Sequence, residues 1–110
     1  MMTDDPSPKP LPDLQQAEFD AAELETLLRD IEACARITEV IPKYGPQRLV
    51  PETSVLTLQD GKRLLIEGAA RAVQFRYEYQ GTQWWDTVMA LPGGRFRLVR
   101  IQHQFDSPGA

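Results

Sequence analysis

Apolar side chains fall three and four positions apart along FDAAELETLLRDIEACAR. Leu24, Leu27, Leu28, Ile31, Cys34 and Ala35 make one stripe at helical spacing. Asp20 stands where an N-cap residue would, and Glu23 three positions later completes a capping box. Phe19 and Leu24 flank that cap as a hydrophobic staple. Glu25 and Arg29, four apart, are placed to pair on the outer face. Cys34 lies on the stripe and reads as a small buried hydrophobe, not a reactive thiol. Residues 37–41, ITEVI, are β-branched without clean alternation and fit either a continuing helix or a strand. Pro42, Gly45 and Pro46 end any helix by about Ile41.

Beyond this point the period shortens to two. SVLTL, then Asp60-Gly61, then RLLIEG reads as a hairpin, because Asp-Gly supplies the positive φ of a tight turn. RAVQFRYEY alternates, with Val73, Phe75, Tyr77 and Tyr79 on one side and Ala72, Gln74, Arg76 and Glu78 on the other. Gly81 and Pro92-Gly93-Gly94 then separate QWWDTVMAL from RFRLVRIQHQF. The predicted architecture is α+β: one N-terminal amphipathic helix packed on an antiparallel β-meander of four to five strands.

Register decides what each face carries. A three-residue loop Gln80–Thr82 sets Tyr77 against Trp85, Phe75 against Thr87 and Val73 against Met89, and brings Arg76 to Asp86. A two-residue loop would instead oppose Phe75 and Asp86, a poor pair. A four-residue loop Pro92–Arg95 sets Leu91 against Phe96 and Met89 against Leu98. The helix then covers Val73, Phe75, Tyr77, Trp85, Met89, Leu91, Phe96 and Leu98. Trp84, Val88, Val99 and Ile101 fall on the opposite face, rimmed by Arg76, Asp86, Arg97 and His103. So apolar a face calls for a cover: the SVLTL hairpin, the N-terminal arm or another chain. A one-residue slip would exchange the two faces.

Composition fills in the surroundings. The sequence has 110 residues and a net charge of −4, which bounds it to one domain. Residues 1–17 carry prolines at 6, 8, 10 and 12 and read as a disordered acidic Pro-rich arm, with a polyproline II docking ligand as the lesser reading. Residues 18–105 form the α+β domain and 106–110 a disordered tail. Residues 1–32 hold nine acidic and two basic side chains, a balance of −7, while the remainder balances at +3. An acidic arm that folds back on a mildly basic sheet is a further reading of that asymmetry. The sequence shows no run long and apolar enough for a membrane span and no secretory signal, so a cytoplasmic protein is expected. One cysteine excludes an intramolecular disulfide and fits a reducing compartment.

Little in the sequence carries chemistry. One histidine and one cysteine cannot build a zinc site. His103 lacks a nucleophile to serve and reads as a rim residue. Asp60, Glu67, Glu78 and Asp86 are too scattered for a metal cage or an acid/base pair. Pro92-Gly93-Gly94 joins two strands, whereas phosphate cradles lead into helices. The expectation is a non-enzymatic protein without cofactor or metal, of adaptor or regulatory type. It would bind a protein partner or itself as a homodimer through Trp84, Val88, Val99, Ile101, Arg76, Arg97 and His103. The alternative is a module for nucleic acid or another polyanion using Arg71, Arg76, Arg95, Arg97 and Arg100.

Overall fold

The computed structural model describes residues 16–44 and 56–103. The chain runs β1 (Gln16–Asp20), α1 (Ala21–Cys34), β2 (Arg36–Lys43), α2 (Leu58–Ile66), β3 (Ala72–Tyr79), β4 (Thr82–Leu91) and β5 (Arg95–His103). The strands form one antiparallel sheet in the order β1-β5-β4-β3-β2. The α+β layering expected from the sequence is therefore present, with a second helix and an extra edge strand.

Helix α1 begins as its sequence dictates. The Asp20 carboxylate accepts from Glu23 N at 2.9 Å, and Asp20 N donates to Glu23 Oε1 at 3.0 Å. Arg29 meets Glu25 at 3.3 Å. Leu24, Leu27, Leu28 and Ile31 are buried. Ala35 also packs against the core, but Cys34 is exposed, contrary to the reading that buried it. The β-branched residues after Ala35 turn into strand β2, which settles 37–41 as extended chain. Strands β1 and β2 point the same way at opposite edges, so α1 must cross the sheet. Fourteen residues span about 21 Å, which matches the roughly 19 Å between the edge strands of a five-stranded sheet.

The Asp60-Gly61 hairpin is not formed. Residues 58–66 are helix α2, and of SVLTL only Leu56 to Leu58 lie within the described residues. Thr57 is the N-cap: its hydroxyl accepts from Asp60 N at 3.1 Å, and Thr57 N donates to Asp60 Oδ2 at 2.8 Å. Thr-Leu-Gln-Asp is thus a capping box, and Leu58, Gly61 and Leu65 follow at helical spacing on the buried side. The helix closes in a Schellman turn, with Gly68 N bonded to Leu65 O and Ala69 N to Leu64 O.

Both helices lie on one side of the sheet. Their leucines meet Phe19, Val40, Val73, Phe75, Tyr77, Val88, Phe96 and Leu98 in a single core. Each such side chain contributes about 1.5–3 kcal/mol when fully buried. The expected arm falls outside the described residues except for Gln16 and Ala17, which belong to β1, and the expected tail falls wholly outside.

Gly61 sits where α2 touches the sheet. A Cβ there would lie 2.8 Å from Phe75 Cε1 and 3.0 Å from Val40 Cγ1. Helix propensity alone favours alanine by about 1 kcal/mol, whereas overpacking a core costs about 1–3 kcal/mol. Gly61→Ala should lower the unfolding midpoint in a denaturant titration. A higher midpoint would show that α2 is not seated on Phe75 and Val40.

Candidate functional site

Register separates the two faces differently from the sequence expectation. Gln80 and Gly81 have φ of 53° and 79°, the pattern of a two-residue type I′ turn, so Tyr79 pairs with Thr82. Tyr77 then faces Trp84, Phe75 faces Asp86, Val73 faces Val88 and Arg76 faces Trp85. Pro92–Gly94 is a three-residue connection, which sets Leu91 against Arg95, Val88 against Leu98 and Asp86 against Arg100. Both loops are one residue shorter than expected, and β4 is flipped.

The flip buries Asp86 in the core layer, where Arg100 meets it. Arg100 Nε donates to Asp86 Oδ1 at 2.9 Å and Nη2 to Oδ2 at 2.7 Å. The Tyr77 hydroxyl donates to Oδ2 at 3.0 Å. The side chains of Arg100 and Asp86 are 1% and 0% exposed. The pairing that looked poor, Phe75 against Asp86, is accepted because the carboxylate's needs are met from β5 and from Tyr77. Burial pushes the Asp86 carboxyl up from its ordinary value, against the pull of the Arg100 guanidinium and the Tyr77 hydroxyl. Burial first, then the Asp86 charge, raises the Tyr77 hydroxyl well beyond the usual tyrosine range. It stays a proton donor at any physiological pH. The cluster is sealed from solvent, so it offers a substrate no access.

The opposite face is the exposed one. Across β5, β4, β3 and β2 its rows read Arg97, Met89, Ala72, Lys43; then Val99, Thr87, Gln74, Ile41; then Ile101, Trp85, Arg76, Glu39. Leu91, Met89, Val99, Trp85 and Ile101 form an apolar stripe along β4 and β5. Ile101 is 48% exposed, and the other four are half-buried. Trp85 is held from both neighbouring strands. The Arg76 guanidinium lies 3.7 Å from the indole centroid, and the His103 ring lies 3.8 Å from it, tilted by 33°. Arg76 is itself fixed, donating to Gln74 Oε1 at 2.8 Å and Glu39 Oε1 at 3.2 Å. Gln74 in turn donates to Thr87 at 3.1 Å.

Of the partner-binding residues expected from sequence, Val99, Ile101, Arg76, Arg97 and His103 share this face. Val88 is in the core and Trp84 packs against it, so the four-residue apolar set is split. Their places are taken by Trp85 and Met89, which the longer loops of the sequence expectation put on the helix side. The Trp84 indole Nε1 is buried with no acceptor among the described residues. Of the five arginines in the polyanion reading, Arg100 is sealed against Asp86 and Arg76 is committed to Glu39 and Gln74. Arg71, Arg95 and Arg97 are exposed.

Among the described residues no three His, Cys, Asp or Glu side chains gather to hold a metal ion. No helix there is long and apolar enough to cross a membrane. Comparison with protein-family models, curated proteins and solved structures returns no match.

Breaking the buried pair should be costly. Asp86→Asn should destabilise by about 3–5 kcal/mol, because Arg100 keeps a buried charge without a counter-charge. Asp86→Leu with Arg100→Met should lose less than Asp86→Asn alone. Tyr77 adds an alkaline dependence. Its folded pKa lies above the unfolded value of about 10, so its contribution is full below that pH and is lost progressively as pH rises from there toward the folded pKa. Denaturant titrations from pH 8 to 11 should show a shallower alkaline decline in Tyr77→Phe than in wild type. Equal slopes would place the hydroxyl outside the buried cluster.

Proposed function

We propose that the chain is a non-enzymatic interaction module of adaptor or regulatory type, binding a protein surface through the open face of its sheet. One observation carries this reading: Trp85, pinned by Arg76 and His103, stands beside Ile101 at one end of a half-exposed apolar stripe that neither helix covers. Tryptophan and arginine dominate the energetic centres of protein interfaces. A side chain already fixed by hydrogen-bonded neighbours loses little freedom on binding. The absence of enzymatic activity is part of the proposal. It draws on Tyr77 and Asp86, two groups whose protonation is shifted upward by burial, being enclosed in the core. A cytoplasmic, reducing setting suits an exposed lone thiol such as Cys34. The polyanion alternative draws less support, since two of its five arginines are occupied within the fold.

Two measurements check this. Trp85→Ala should cost less than about 1 kcal/mol of stability, as surface substitutions do, whereas Trp84→Ala should cost about 3 kcal/mol. This reverses the assignment that the expected register would have given. A photo-crosslinking residue at Ile101, introduced into the full chain in living cells, should form protein adducts. The same probe at Ala22, on the exposed side of α1, should not. Equal yields from both positions would end the interaction reading.

A further inference from the structure

The open face points to a partner of a particular kind, and the inference rests on the reading just given. We infer that the occupant is a second copy of this chain, packed sheet to sheet about a two-fold axis running along β4. Size is the first argument. Five strands about 4.8 Å apart and roughly 27 Å of strand give a flat footprint of about 500 Å² per copy, so two copies bury on the order of 1,000 Å². That reaches the lower bound for a specific interface.

Charge is the second. The exposed face balances acidic against basic groups, with Glu18, Glu39 and Glu78 facing Arg36, Lys43, Arg76 and Arg97 in its rows. A face with no dominant sign does not select an oppositely charged partner, nor does it repel its own copy.

Geometry is the third. A two-fold axis along β4 lays β5 over β3 and β1 over β2 while keeping each row in place. In the row Glu18, Arg97, Met89, Ala72, Lys43, it sets Glu18 of one copy over Lys43 of the other and Arg97 over Ala72. In the row His103, Gln83, Glu78, Arg36, it sets His103 over Glu78. No like charges of the described residues are superposed. Trp85 and Thr87 fall on the axis, so each meets its own copy. The best-anchored side chain of the face thereby lies on the two-fold axis.

The full chain should sediment as a dimer of twice 12.5 kDa. Thr87→Cys in a Cys34→Ser background should be joined to its copy by a bismaleimide reaching about 10 Å, the separation of two packed sheets, whereas Ala22→Cys in the same background should not. Glu18→Lys and Lys43→Glu should each weaken association by on the order of tenfold, and the two together should restore it. A monomer at every concentration overturns the inference. So does a dimer indifferent to position 87 and to the charge exchange. In the first case crosslinks from Ile101 to other proteins would leave the interaction reading standing. In the second case, with no adducts at Ile101, both fail together.

Discussion

The buried contact between Asp86 and Arg100 organises the central sheet. Two opposite charges almost without exposure are tolerable only when they meet with their hydrogen-bonding groups satisfied. Their pairing places β4 against β5 in one register. The Tyr77 hydroxyl extends the same constraint to β3. Sliding either neighbour by one residue would strand a charge in the core and turn every side chain of that strand to the other face. Hydrophobic pattern alone gives no such penalty here, because Trp84 and Trp85 are adjacent and both phases of β4 carry apolar residues. The ionic pair breaks that ambiguity, in the way buried polar groups can fix register elsewhere.

From this register the rest follows. With Trp84, Asp86 and Val88 turned inward, α1 and α2 have one apolar layer to cover. Helix α1 is long enough to reach from the β1 edge to the β2 edge, and α2 fills in over β2, β3 and β4. No helix of the described residues remains for the other side. That side is not simply polar: Met89, Val99 and Ile101 lie on it with Trp85, which Arg76 and His103 hold in place. Edge strand β2 is blunted by a bulge near Thr38 and by Pro42. The sheet therefore offers its face for association more readily than that edge.

Much of the architecture was legible residue by residue. The Asp20–Glu23 capping box and the leucine stripe located α1, and the alternation of Val73, Phe75 and Tyr77 gave the buried side of β3. Helix α2 was hidden by a competition between two local signals. Asp60-Gly61 suits a tight turn, but Asp60 also stands three residues after Thr57, and the helical spacing of Leu58, Gly61 and Leu65 decides for the helix. The face assignment was missed for a deeper reason. A carboxylate opposite Phe75 looks unfavourable in any two-strand view, and its partner lies on a third strand, fourteen residues on. The available signal was the phase of Asp86 with Trp84 and Val88, and of Arg100 with Phe96 and Leu98. Opposite charges in phase with the apolar side of adjoining strands mark a pair meant to be buried together. Strand β1, five residues long, had no pattern strong enough to separate it from the helix cap that follows.

The register is directly measurable by cross-strand proton–proton contacts in the NMR spectrum of the isotopically labelled chain. Backbone contacts pairing Arg76 with Trp85 and Gln74 with Thr87 across β3 and β4, together with Asp86 and Arg100 across β4 and β5, are the predicted result. Contacts pairing Arg76 with Asp86 and Phe75 with Thr87 would contradict it, since Trp85 would then belong to the core and the open face would lose its anchored tryptophan.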